Sequence, residues 1–74
     1  MNPERKNAIE ITVNGEARSV ADGDTILSLL EDLGLEPARL AVEMDRRIVK
    51  QAEWSSTALR AGSQLEIVQF VGGG

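Results

Sequence analysis

Three glycines, Gly72-Gly73-Gly74, follow directly on an apolar run over 65–71. A glycine tract inside a chain reads as a linker. Placed last, this one is expected to finish in a free carboxylate. Glycine has no Cβ, so its backbone is thin and accepts almost any φ/ψ. A thin tail with an unhindered carboxylate can be threaded into another protein's active site. The competing reading is a frayed end, because disorder concentrates at termini.

The side chains offer little other chemistry. The 74 residues include no cysteine and no histidine. A side-chain persulfide, a thioester and a thiolate metal site are therefore excluded. So is an imidazole working as acid, base or metal ligand near neutral pH. No two carboxylates stand at a spacing that suggests a metal site or a catalytic dyad. No catalytic residue and no metal ligand is expected, and the backbone terminus is left as the obvious reactive group.

Charge narrows the partners. Twelve acidic residues against eight basic ones give a net charge of −4. A nucleic-acid binder carries a basic face, so that class is disfavoured. The balance suits ordinary solubility or a basic partner. No stretch approaches the ~20 apolar residues of a membrane span. The polar start, Met1-Asn2-Pro3-Glu4-Arg5-Lys6-Asn7, lacks the apolar centre of a signal peptide. Cytoplasmic residence, with no membrane partner, is the expectation.

A chain this short makes one domain, and it buries only roughly 60% of its unfolded surface. Residues 1–7 read as a mobile lead-in, 8–71 as the domain and 72–74 as a flexible tail. Over 8–13, Ile9, Ile11 and Val13 alternate with Glu10 and Thr12, which predicts a half-buried strand. Asn14-Gly15 is the strongest short hairpin signal, and 16–20 would return antiparallel with weaker alternation. Asp22-Gly23-Asp24-Thr25 then offers a turn and a helix cap, from Asp24 or Thr25. Ile26, Leu29, Leu30 and Leu33 share one helical face, and Gly34 is placed to end a helix over 25–33.

The second half predicts three more strands. Residues 40–44 form one, Asp45-Arg46-Arg47 a turn, and Ile48-Val49 a brief edge strand. Residues 51–57, with Trp54 in a polar setting, suggest a loop or one helical turn. Ala61-Gly62-Ser63 is a turn, and 65–71 is the closing strand. One helix and four or five strands imply an α+β domain with the helix on one face of a mixed sheet. The first and last strands, the most apolar, are expected to be central neighbours. The order resembles that of the β-grasp fold of ubiquitin-like proteins. In the closing strand Leu65, Ile67 and Gln69 point one way, and Glu66, Val68 and Phe70 the other. If the first set faces the helix, Val68 and Phe70 face solvent and make a candidate docking surface.

Three stretches carry a more specific resemblance. They are Met44-Asp45-Arg46-Arg47-Ile48-Val49-Lys50-Gln51-Ala52-Glu53-Trp54, then 59–68, then the ending Val71-Gly72-Gly73-Gly74. Together with Val13-Asn14-Gly15-Glu16, 24–30 and 40–43 they resemble the ThiS family, the small sulfur carriers of thiamine biosynthesis. The resemblance covers nearly all of 8–74. Two departures stand out: Ala61-Gly62-Ser63-Gln64 where the family favours a more acidic turn, and Lys50-Gln51 where Pro-Arg is frequent.

The resemblance implies a carrier that is not itself an enzyme and is a monomer when free. Gly74 would be adenylated by an ATP-using activating enzyme, then converted to a thiocarboxylate with sulfur from a donor protein. The sulfur would pass to thiazole synthase. Gly72 and Gly73 would present the terminus, Val68 and Phe70 would dock the domain, and no cofactor would bind this chain. The glycines themselves also suit a molybdopterin-synthase small subunit or a ubiquitin-like protein modifier. A plain binding domain with a frayed tail is the remaining alternative.

Overall fold

Alternation and turn chemistry build the first hairpin as the sequence predicts. The computed structural model describes residues 7–71; the expectations for 1–6 and for Gly72, Gly73 and Gly74 lie outside the described residues. Strand β1 (Ala8–Val13) pairs antiparallel with β2 (Glu16–Ala21). Between them Asn14 and Gly15 have φ of 50° and 85°, the left-handed pair that a type I′ turn requires. Ile11 is buried, with Ile9 and Val13 packed beside it. β2 buries only Val20, and its weak alternation fits its place at the sheet edge. The carbonyl of Asn7 accepts from the Asp22 N–H at 2.7 Å, so the hairpin pairing reaches back to Asn7.

The helix is short and closed at both ends. Thr25 is its cap: Ser28 N–H donates to Thr25 Oγ1 at 3.2 Å, and Thr25 N–H donates to Ser28 Oγ at 2.8 Å. Asp24 instead holds the preceding turn, accepting from the Ala21 N–H. Helix α1 (Ile26–Asp32) is narrower than 25–33 because Thr25 and Leu33 are its two caps. Gly34 follows at φ 72° and turns the chain away. Seven residues do not make a stable helix alone. Tertiary contacts supply the rest: Ile26, Leu29 and Leu30 are wholly buried. Two more N–H groups of the first turn find carbonyls in a distant loop, Ile26 on Thr57 and Leu27 on Trp54.

Strands β3 (Leu40–Met44), β4 (Arg47–Val49) and β5 (Gln64–Gln69) complete a five-stranded sheet in the order β2-β1-β5-β3-β4. β5 runs parallel to β1 and antiparallel to β3. The first and last strands are indeed neighbours, with β5 central. β5 ends before the expected Val71 because β3 begins at Leu40, opposite Gln69, and only the Arg39 carbonyl lies beyond, where it accepts from the Phe70 N–H. The helix covers one face of a mixed sheet, which is the α+β arrangement of the β-grasp fold.

Trp54 departs from its polar setting in the sequence. It follows a single 3-10 turn, Gln51–Glu53, and is only 2% exposed, the largest side chain of the core. Its indole Nε1–H donates to the Val49 carbonyl at 2.8 Å, which satisfies the one polar group of a buried ring. Gln51, Ala52 and Glu53 stay in solvent and disguise it. Trp54→Ala is expected to cost about 3–5 kcal/mol. That is a large part of the roughly 5–15 kcal/mol that holds an ordinary domain together. Urea unfolding followed by far-UV circular dichroism should show a sharply lowered midpoint. Trp54→Phe, which keeps an aromatic ring and loses the Nε1–H bond, should fall between this variant and the parent.

Candidate functional site

The tail is rooted in β5, so the backbone that holds β5 sets where the tail starts. On one side, Thr12 N–H donates to the Ser63 carbonyl and Asn14 N–H to the Leu65 carbonyl. β1 ends there, and the Asn14 side chain carries the pairing further. Its Nδ2 donates to the Ile67 carbonyl at 3.2 Å, and its Oδ1 accepts from the Ile67 N–H at 2.7 Å. One carboxamide thus stands in for a missing strand residue. A second residue acts alike on the other side. Asp45 N–H donates to the Gln64 carbonyl at 2.8 Å, and Asp45 Oδ1 accepts from the Gln64 N–H at 3.0 Å.

Both clamps are products of turn geometry. Asn14 and Asp45 have φ of 50° and 52°, each at the first position of a hairpin turn. Asn and Asp tolerate this left-handed region because their short polar side chains bond to nearby backbone. Arg46 follows Asp45 at φ 70° without that help, a conformation that costs of order 1 kcal/mol for a residue of its kind.

The two faces of β5 separate as the alternation predicts. Leu65 is buried and Ile67 partly buried beneath α1. Val68 and Phe70 are 54% and 56% exposed on the far side. The Phe70 N–H donates to the Arg39 carbonyl at 2.8 Å, the last ladder bond before the chain leaves the sheet. Val71 stands almost fully in solvent, and the three glycines after it lie outside the described residues. The structure therefore brings Val68 and Phe70 together at the root of the tail.

The sequence reading missed part of this face. Ile48 is 79% exposed and sits opposite Glu43, which in turn sits opposite Glu66. Only the strand register joins these residues, and no local pattern announces it. The Asn14 clamp was legible as a turn and hidden as a clamp.

Among the described residues no group of three His, Cys, Asp or Glu could hold a metal ion. A cavity of about 320 Å³ lies on the helix side of the sheet between Val13, Leu33, Leu35 and Ile67, rimmed by Glu16 and Arg18. Its lining has no hydroxyl, thiol or imidazole. No described helix is long and apolar enough to cross a membrane.

Two substitutions probe this arrangement. Asn14→Ala removes both side-chain bonds to Ile67 and is expected to cost about 1–3 kcal/mol in urea unfolding. Phe70→Asp is expected to leave the unfolding midpoint within roughly 0.5 kcal/mol of the parent, as for other exposed positions. A large loss of stability in the second variant would place Phe70 in the core.

Comparison with known proteins adds a family. The family model described as the ThiS family matches residues 11–74. The thiazole synthase of Paramagnetospirillum magneticum is 36% identical over 66 residues, 89% of this chain and 20% of that protein. The thiazole synthase of Magnetococcus marinus is 35% identical over the same shares. The chain thus spans about a fifth of the length of these two relatives. The sulfur carrier protein ThiS of Escherichia coli is 30% identical over 89% of this chain and the whole of that protein. The crystal structure of a thiamine biosynthesis protein (ThiS) from Geobacter metallireducens superposes with a TM-score of 0.77 at 26% identity. It covers 89% of this chain and all of its own.

Proposed function

The chain belongs to the ThiS family, and on that footing we propose that it is a sulfur carrier of thiamine biosynthesis whose working group is the Gly74 carboxylate. The observation that carries the reading is that the family match runs through residue 74 and so includes the glycine tail. The want of cysteine and histidine supports it, since sulfur can be carried only on the backbone.

An α-carboxyl titrates near pH ~3.5, so Gly74 is a carboxylate at neutral pH and a poor electrophile. A carboxylate oxygen attacks the α-phosphorus of ATP on an activating enzyme, and pyrophosphate leaves. Hydrosulfide delivered by a donor protein then attacks the carbonyl carbon of the acyl-adenylate, AMP leaves, and loss of the S–H proton gives the thiocarboxylate. The thiocarboxylate so formed gives its sulfur to a thiazole synthase. This chain contributes position alone. Gly72 and Gly73 keep the tail narrow, while Val68 and Phe70 dock the domain beside its root. The carrier is a cytoplasmic monomer between encounters and binds no cofactor of its own.

Intact-mass spectrometry tests the chemistry. Incubation with the activating enzyme, ATP and a sulfur donor should give a species heavier by one exchange of oxygen for sulfur. Deleting Gly74 should abolish that species and leave the unfolding midpoint unchanged. A ladder of conjugates on lysines of other proteins, with no thiocarboxylate, would instead mark a protein modifier.

A further inference from the structure

The two edges of the sheet are built differently. β4 is three residues long; Arg47 opens it and Lys50 follows it. A short, charged edge of that kind resists pairing with another chain. β2, at the other edge, is six residues long. It pairs with β1 along its whole length without a bulge and holds no proline or lysine.

The phase of the hydrogen bonds decides which groups of β2 are free. Thr12 and Asn14 give their N–H groups to β5. Ile9, Ile11 and Val13 therefore turn theirs to β2, where they face Val20, Arg18 and Glu16. Ala17, Ser19 and Ala21 direct N–H and C=O away from the sheet. The Ala21 N–H is met by the Asp24 carboxylate at 3.2 Å. The open stretch is thus Ala17 and Ser19, both exposed.

Opposite charges flank that stretch. Glu16 and Arg18 share the helix side of β2 with Val20 and rim the cavity described above. Among the described residues the one ion pair joins Arg39 to Glu36, so neither Glu16 nor Arg18 is paired. Set antiparallel, Glu16-Ala17-Arg18 is its own complement. With Ala17 opposite the partner's Ala17, each Glu16 meets the partner's Arg18. These are non-hydrogen-bonded positions, where facing Cα atoms stand about 4.5 Å apart and side chains are closest. Moving the two-fold axis to Arg18 would set two guanidinium groups face to face. Moving it to Ser19 would set Glu16 opposite Asp22. Charge therefore selects one register.

We propose that a second copy of this chain pairs with β2 edge to edge, about a two-fold axis at Ala17, and joins two five-stranded sheets into one. A second copy is favoured over a foreign strand because β2 itself carries the matching acid and base at the required spacing. The axis stands perpendicular to the sheet, so both helices lie on one side and the two β5 strands run in opposite directions. The roots of the two tails sit at opposite ends, and Val68 and Phe70 of each copy stay uncovered. The pairing is thus compatible with the carrier reading and does not depend on it. One strand pair buries less than the roughly 1,000 Å² of a stable interface. Dissociation is expected on the order of 0.1–1 mM, so the dilute chain is monomeric.

Sedimentation velocity from roughly 10 μM to 1 mM tests the proposal across that range. The parent is expected to shift from monomer toward dimer. Amide shifts in a nitrogen-15 spectrum should then move with concentration at Ala17 and Ser19 and stay fixed at Val68 and Phe70. Glu16→Arg and Arg18→Glu should each weaken association tenfold or more, because each sets like charges opposite each other. Glu16→Arg also lowers the net negative charge, so general repulsion alone would make it associate more tightly. The double variant Glu16→Arg, Arg18→Glu should return to within about threefold of the parent. The two single variants mixed should pair with each other, since every introduced charge then meets its opposite. Both positions are exposed, so urea midpoints should stay with the parent and separate lost pairing from lost folding.

A parent that remains monomeric at the highest concentration overturns the proposal. So does association that ignores both single variants, or that neither the double variant nor the mixture restores. Shifts confined to Val68 and Phe70 would place the contact on the outer face and overturn it equally.

Discussion

The structure depends on the placement of β5 with a strand on each side. A central strand can be displaced only by breaking two ladders at once. Here the β1 ladder reaches only Gln64 and Leu65, the β3 ladder stops at Leu65, and two Asx residues extend the pairing. Asn14 grips Ile67 past the end of β1, and Asp45 grips Gln64 at the turn beyond β3. These bonds close sequence separations of 53 and 19 residues. They tie the first turn and the middle turn to the last strand. The strand that leads to the tail is therefore held along both of its edges.

The helix and the loop bearing Trp54 support each other in a similar way. α1 has too few residues to be stable alone. Carbonyls of Trp54 and Thr57 receive two of its first N–H groups, and Asp24 returns the favour by accepting from Leu59. The loop in turn lacks a repeating pattern and is held by the buried indole. A small domain without disulfides gains cooperativity from such reciprocal closure, because neither segment keeps its shape without the other.

Sequence patterns revealed whatever is local. The alternation of β1, the Asn14-Gly15 turn, the spacing of Ile26, Leu29 and Leu30, and the two faces of β5 all follow from periods of two and 3.6 residues. Trp54 escaped because one 3-10 turn has no period to read. Its polar neighbours describe the solvent side alone. Glu43, Glu66 and Ile48 escaped for a different reason: they are neighbours through register, and register is decided by the whole sheet. The glycine tail lies outside the described residues, so its part rests on residue type and on the family.

The Asn14 clamp has a chemical consequence as well as a mechanical one. An Asn followed by Gly is the pair most open to deamidation, because an unhindered glycine nitrogen can attack the side-chain carbonyl and expel ammonia. Asparagine is among the residues that heat removes first. In this fold the carboxamide is held at both ends by the Ile67 backbone, so it cannot swing freely onto the Gly15 nitrogen. The product of that reaction would be a carboxylate, which has no hydrogen to give the Ile67 carbonyl. The bond that positions the last strand thus also slows the ageing of the residue that makes it. Once the bond is lost, the damage removes the means of restoring it.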